Sequence, residues 1–119
     1  MTYGYDGVLK VESDRGVRIV TLNDPEKLNA MTDPLHEALI DVWVHLMRDN
    51  DARVVVVTGA GRAFSAGGDL AMVERQIGDY GLVTHMLAEM SDLVYNMINC
   101  EKPIVSAING VAEIGRAHV

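Results

Sequence analysis

A glycine-rich loop that follows an apolar run is the part of this chain best suited to chemistry. The run 54–58 is β-branched and unbroken, which is typical of a strand buried on both faces. Ligand sites in parallel sheets lie where the chain leaves the carboxyl end of a strand. Here the chain leaves through Gly59, Gly61, Gly67 and Gly68. Because glycine has no side chain, backbone amides in this loop can approach an acyl carbonyl or a phosphate.

Spacing excludes two nucleotide-binding motifs. A dinucleotide fingerprint needs a third glycine three residues after Gly61, where the chain has Phe64. A P-loop needs Gly-Lys-Ser/Thr after the glycines, and that sequence is absent. Two alternatives remain open: a tight connection that uses glycine for turn geometry alone, and a loop that binds some other anion.

The flanking sequence predicts the elements that position this loop. Two strand-like runs, 8–12 and 17–22, are joined by a turn cluster and predict a hairpin. Apolar residues at three- and four-residue spacing predict a helix over 33–48, with Thr32 or Asp33 as N-cap and Pro34 in the first turn.

Beyond the loop, a short helix with a mobile exit is predicted around 71–81. An amphipathic helix follows over 82–99, and its apolar stripe favours packing in the core. Residues 104–108 predict another buried strand. The order strand, strand, helix, strand, helix, strand predicts an α/β fold with right-handed crossovers.

Three segments resemble the crotonase superfamily, the enoyl-CoA hydratase/isomerase family. Residues 62–70, Arg-Ala-Phe-Ser-Ala-Gly-Gly-Asp-Leu, resemble the family's oxyanion-hole loop. Residues 25–31, Pro-Glu-Lys-Leu-Asn-Ala-Met, resemble the early loop beside coenzyme A, and residues 102–112 resemble the strand and turn that lead into the second half of the active site. The resemblance implies an α/β crotonase-like (ClpP/crotonase) spiral of ββα units, truncated before the carboxyl-terminal helices.

The resemblance also implies acyl-thioester chemistry through an enolate, whose oxygen is held by two backbone N–H groups. The first donor carries over onto Ala66, and Gly115 occupies the second position by count alone. Asp69 is not expected to be the general base, and Ser65 is expected to serve backbone geometry rather than act as a nucleophile. The substrate-pocket positions of the family match Lys27, Leu28, Ala30, Ala63, Ala66, Gly67, Gly68, Asp69, Leu70 and Val111.

The activity implied by the resemblance is that of an enoyl-CoA hydratase, a lyase that adds water to a 2-enoyl-CoA. Isomerase, acyl-CoA hydrolase and a non-catalytic acyl-CoA-binding relative remain alternatives. The implied substrate carries coenzyme A, no tightly bound cofactor is expected, and the full-length parent is expected to be a homotrimer or a dimer of trimers.

Composition bounds the partners and the compartment. The net charge of −7 argues against nucleic acid or an anionic membrane surface as a partner, because both bind basic surfaces. Lys27, Arg53 and Arg62 are the cations available for a local phosphate contact. The single Cys100 allows no internal disulfide, no metal-ligand spacing is present, and the cytoplasm is the expected location.

The carboxyl terminus is expected to be foreign. Ile114 to Val119 corresponds to one reading frame of a common sequencing-adapter oligonucleotide, so the crotonase-like domain is predicted to comprise 1–112 and the non-native tail 113–119. The family's acid/base carboxylates would then lie in a missing part of the protein.

Overall fold

The computed structural model describes residues 3–113, which form two β-sheets with helices packed beside them. The strands are β1 (Leu9–Asp14), β2 (Val17–Leu22), β3 (Val54–Gly59), β4 (Ala63–Ser65), β5 (Ile104–Ser106) and β6 (Val111–Ala112). The helices are a 3₁₀ turn (Pro25–Lys27), α1 (Asp33–Arg48), α2 (Leu70–Gln76) and α3 (Tyr80–Ile98).

The strands divide between two sheets in a regular way. The larger sheet has the order β1-β2-β3-β5, antiparallel between β1 and β2 and parallel thereafter. The smaller sheet pairs β4 with β6 in parallel. In each later unit the first strand therefore joins the large sheet and the second joins the small one. The described chain comprises two ββα units and the two strands of a third, as the resemblance implies.

Helix α1 covers the large sheet and builds the core. Thr32 is its N-cap and Pro34 lies in the first turn, as predicted. Its apolar stripe is fully buried at Leu35, Val42 and Leu46. This stripe packs with alternate residues of β2 and β3, so the hydrophobic core lies between α1 and one face of the sheet.

Three expectations overestimate burial. In β3 only Val55 and Val57 are fully buried, and the alternate residues are partly buried, because α1 covers one face of the strand. Helix α3 reaches the core only in part, through the half-buried Leu93, and Leu87 is 59% exposed. Strand β5 leaves Val105 52% exposed. Leu87 and Val105 thus leave apolar surface exposed among residues 3–113.

A buried ion pair closes the end of the sheet opposite the glycine loop. Asp49, just after α1, accepts hydrogen bonds from Arg18 Nε (2.9 Å) and from the Tyr3 hydroxyl (2.7 Å). The Arg18 guanidinium holds the pKa of the Asp49 carboxyl well below its usual range. Lys102 Nζ donates to the carbonyls of Leu46 and Asp49 at the carboxyl end of α1. No helix within the described residues is long and apolar enough to cross a bilayer.

Candidate functional site

The glycine loop lies against the early loop that the sequence singles out. The amide of Ala66 donates to the carbonyl of Leu28 at 2.9 Å. The amide of Met31 donates to the carbonyl of Gly67 at 2.7 Å, and Met31 forms a parallel bridge with Gly68. Residues 28–31 therefore run beside residues 66–68, with a single isolated β-bridge between Met31 and Gly68.

The opposite side of the loop lies against the third segment. Ala63 and Ser65 pair with Val111 and Ala112 in the β4–β6 ladder. The Glu113 amide then donates to the Ser65 carbonyl at 2.9 Å, which extends the pairing by one residue. All three segments that carry the resemblance thus meet at the loop, although they are far apart in sequence.

The prediction that Ala66 supplies the free donor is wrong in this structure. The peptide between Ser65 and Ala66 is hydrogen-bonded at both ends: its carbonyl accepts from Glu113 and its N–H donates to Leu28. An amide engaged in this way cannot also meet a ligand without breaking the pairing with Leu28.

The peptide between Gly67 and Gly68 is the one that is left open. Its carbonyl accepts from Met31, and the described chain contains no cis peptide bond. Because a trans peptide directs its N–H and C=O to opposite sides, the Gly68 N–H faces away from Met31. Within residues 3–113 that N–H has no hydrogen-bond acceptor. The free N–H in this loop is therefore that of Gly68, whereas the sequence predicts it at Ala66.

Gly67 must be glycine for this geometry. Its φ is +90°, and a Cβ at this position would lie 2.6 Å from the carbonyl oxygen of Glu113. Gly68 differs, because a Cβ there would meet only Val73 Cγ2 at 3.8 Å, an ordinary van der Waals distance. The loop therefore needs glycine at Gly67 for its fold, whereas Gly68 is free to vary sterically.

Ser65 supports the backbone, as predicted. It is 3% exposed, and its hydroxyl donates to the Asn29 carbonyl at 2.8 Å. The same Oγ accepts from the Gly67 amide at 3.2 Å. Because this buried hydroxyl both donates and accepts a hydrogen bond, it is placed to hold the loop. None of these contacts is with a base that could activate Ser65 as a nucleophile.

The other predicted pocket residues are distributed unevenly around the loop. Ala30 and Ala63 are buried beneath it, whereas Lys27 and Val111 are exposed. Asp69 is the N-cap of α2, and Leu70 is the first residue of that helix. Gly115 lies outside the described residues, and of the predicted non-native tail 113–119 only Glu113 is described.

The charged neighbours of the loop are fewer than the sequence suggests. Lys27 is exposed on the 3₁₀ turn, and Arg62 is exposed within the β3–β4 connection. Arg53 precedes β3 and packs on Gly16, at the opposite end of the strand from the loop. Residues 3–113 contain no cluster of three His, Cys, Asp or Glu side chains placed to hold a metal ion.

Asn29 and Asn109 also contact the β3–β4 connection, and neither stands out in the sequence. Asn29 is fully buried and donates to the carbonyls of Ala60 and Ala63, both at 3.0 Å. Asn109 donates to the carbonyls of Gly61 and Ala63. Asparagine between a turn and an apolar segment is common, so composition does not mark these two as bridging residues.

Comparison with known proteins agrees with this geometry. The profile of the enoyl-CoA hydratase/isomerase family matches residues 12–117. The chain belongs to this family. Its fold is that of a solved family member, an enoyl-CoA hydratase/isomerase from Mycobacterium paratuberculosis, with a TM-score of 0.83 and 40% identity over 91% of this chain and 43% of that one.

Curated relatives within the family carry different names. 3-Hydroxyisobutyryl-CoA hydrolase 1 of Arabidopsis thaliana is 37% identical over 111 residues, 92% of this chain and 29% of the relative. Small ribosomal subunit protein mS47 of Schizosaccharomyces pombe is 36% identical over 102 residues, 84% of this chain and 24% of the relative. The chain spans 24% to 43% of the length of the curated relatives that it matches.

Proposed function

We propose that the full-length protein is an enzyme that acts on acyl-CoA thioesters, and that its reaction is the hydration of a 2-enoyl-CoA. The observation that carries this proposal is the free N–H of Gly68, whose peptide is fixed by the Met31 contact to the Gly67 carbonyl. Family membership supports a coenzyme A thioester as the ligand.

The chemistry follows from where charge develops. When water adds to the β-carbon of a 2-enoyl thioester, electrons move onto the thioester oxygen and form an enolate. A fixed N–H that points at this oxygen stabilises the enolate more than the ground-state carbonyl, and one such donor is worth about 3 to 4 kcal/mol. Gly68 supplies the first donor in this scheme, and Gly115 remains the position proposed by count for the second.

The substrate is proposed to lie along the three converging segments, with coenzyme A contacted by the early loop. The proposed contacts are Lys27, Leu28, Ala30, Ala63, Ala66, Gly67, Gly68, Asp69, Leu70 and Val111. No tightly bound cofactor is invoked, the general acid and base are assigned outside this chain, and the parent is proposed to be a cytoplasmic trimer or dimer of trimers.

The names of the relatives support alternative functions for the same pocket. The hydrolase name of the Arabidopsis relative supports thioester hydrolysis as an alternative reaction at the same donor. The ribosomal name of the S. pombe relative supports a non-catalytic alternative, in which the fold is kept for binding or assembly. Isomerisation of the enoyl double bond would use the same enolate.

The test uses the product of the complete gene and a matched pair of variants. Gly68→Pro removes the N–H, whereas Gly68→Ala keeps it and adds a Cβ that would meet only Val73 Cγ2, at an ordinary van der Waals distance of 3.8 Å. Hydration is followed by the loss of ultraviolet absorbance of the conjugated enoyl thioester. We expect Gly68→Pro to lower kcat by about 100- to 1000-fold, and Gly68→Ala to stay near wild type.

Equal activities of the proline and alanine variants, with both folded by circular dichroism, would remove Gly68 from the mechanism. Binding of butyryl-CoA without turnover of any enoyl-CoA would favour the non-catalytic alternative. Binding of inorganic phosphate without binding of coenzyme A would favour another anion as the ligand. The 119-residue chain alone is expected to bind weakly and to be inactive.

A further inference from the structure

The carbonyl of Ala63 accepts hydrogen bonds from two side-chain amides that come from distant parts of the chain. Asn29 Nδ2 donates to it at 3.0 Å, and Asn109 Nδ2 donates to it at 3.2 Å. Asn29 follows the early 3₁₀ turn and Asn109 follows β5. One carbonyl at the start of β4 therefore joins the two segments that border the glycine loop.

Each of these asparagines makes further hydrogen bonds to main-chain groups nearby. Asn29 also donates to the Ala60 carbonyl, and its Oδ1 accepts from the Asp24 amide at 2.7 Å. Asn109 also donates to the Gly61 carbonyl, and its Oδ1 accepts from the Gly59 amide at 3.0 Å. Two side chains thus hold the β3–β4 connection at four main-chain atoms.

The same connection leads directly to the free donor. Strand β4 is three residues long, so its direction is set by the anchored carbonyl of Ala63 at its start together with the pairing to β6. At its end Ser65 Oγ donates to the Asn29 carbonyl and accepts from the Gly67 amide. The Gly67–Gly68 peptide follows at once. The orientation of the Gly68 N–H therefore depends on where Asn29 and Asn109 hold β4.

We propose that Asn29 and Asn109 are positioning residues that act as a clamp on Ala63 and set the direction of the Gly68 N–H. This proposal rests on the proposed function for the role of Gly68, but the clamp itself is testable without a ligand. Neither side chain needs to touch the substrate for this purpose.

The variants separate the donor from the shape of the side chain. Asn109→Asp keeps the acceptor toward Gly59 and replaces the donor with an oxygen that faces two carbonyls. Asn29→Asp makes the same change at the buried member of the clamp. Asn96→Asp is the matched control, because Asn96 Nδ2 also donates to a main-chain carbonyl, that of Ile40 at 2.8 Å, but joins α3 to α1 away from the loop.

The first measurement is amide hydrogen exchange of the 119-residue chain at micromolar concentration. Protection of the Ala66 and Met31 amides should fall about five- to tenfold in Asn109→Asp and at least as much in Asn29→Asp. In Asn96→Asp the protection of the Ala66 and Met31 amides should change only as much as the protection of the core amides of α1 does. Unchanged protection of Ala66 and Met31 in Asn109→Asp would overturn the clamp, even if Asn29→Asp fails to fold.

The second measurement connects the clamp to the donor. Butyryl-CoA labelled with ¹³C at the thioester carbonyl is bound to the complete gene product, and its carbonyl stretch is read by infrared difference spectroscopy. A hydrogen bond lowers this frequency. We expect Asn109→Asp to keep its butyryl-CoA Kd within about threefold while losing about half of the frequency shift, and Asn96→Asp to keep the full shift.

The outcomes separate the two proposals. An undiminished frequency shift in Asn109→Asp would show that the clamp does not aim the donor, and would overturn the inference. If the wild-type protein binds butyryl-CoA without any frequency shift, the proposed function fails, and the exchange measurement alone then decides whether the clamp exists.

Discussion

Replacing Gly67 by alanine should destabilise the chain more than replacing a glycine that has a similar backbone conformation and open space around it. Gly67 has a φ of +90°, and a Cβ there would lie 2.6 Å from the Glu113 carbonyl oxygen. Gly78 has a φ of +75°, and no atom lies within 4 Å of its Cβ position. Gly78→Ala therefore provides the matched control for backbone strain.

The magnitude follows from adding two costs. A left-handed conformation costs an L-residue about 1 to 2 kcal/mol, and this cost applies to both variants. Forcing a methyl group against fixed backbone adds about 1 to 3 kcal/mol, and this applies only to Gly67→Ala. The change in unfolded-chain entropy is the same in both and cancels. Gly67→Ala should thus lose about 1 to 3 kcal/mol more stability than Gly78→Ala.

Urea unfolding of the two variants and the wild type measures this difference through the midpoint, provided that the m-value stays constant. Hydrogen exchange supplies the local readout. Because the clash lies between Gly67 and Glu113, the Glu113 amide that donates to Ser65 should exchange faster in Gly67→Ala than in Gly78→Ala. Equal midpoints and equal exchange would refute the close approach of the loop to the end of β6.

The remaining predictions concern the core and the exposed surfaces. Asp49→Asn should cost about 3 to 5 kcal/mol of unfolding free energy at pH 7, because it leaves the buried Arg18 guanidinium without its carboxylate. The pKa of Asp49 in the folded protein lies below its unfolded value of about 3.9, so the contribution of this carboxylate to stability is complete above that pH and is lost as the pH falls. The urea midpoints at pH 7 and pH 3 should therefore differ more for wild type than for Asp49→Asn. Lys102→Met should cost about 1 kcal/mol in the same assay, because two carbonyls at the end of α1 lose their donor. Trp43→Phe should change stability by less than about 1 kcal/mol, since the lost volume is offset by removing an indole N–H that has no partner among residues 3–113, and a larger loss would contradict this balance. Sedimentation velocity should show concentration-dependent self-association that Ile98→Lys reduces, because Ile98 is 74% exposed on α3, and a monomer at all concentrations would contradict it.

Local sequence was sufficient for the elements whose stability is local. The hairpin of β1 and β2, helix α1 with its N-cap at Thr32, and strand β3 all appear where apolar periodicity and turn residues predict them. Strand β4 was not predicted, because three residues carry too short a pattern and pair only with β6, far away in the chain. The apolar runs of β3 and β5 predict more burial than the structure shows, because an apolar run does not reveal how many layers cover a strand.

The residue types along the chain determined the kind of site: a glycine loop after a parallel strand, bordered by two further segments of one family. Only the tertiary structure decided which amide in that loop stays free. Ala66 and Gly68 are two residues apart, and the sequence does not show which of their amides is free. In the structure the Ala66 N–H donates to the Leu28 carbonyl, whereas the Met31 N–H donates to the Gly67 carbonyl and the Gly68 N–H stays free. The physical reason is that a peptide group's direction is set by its hydrogen-bond partners, and here those partners come from a segment more than thirty residues away.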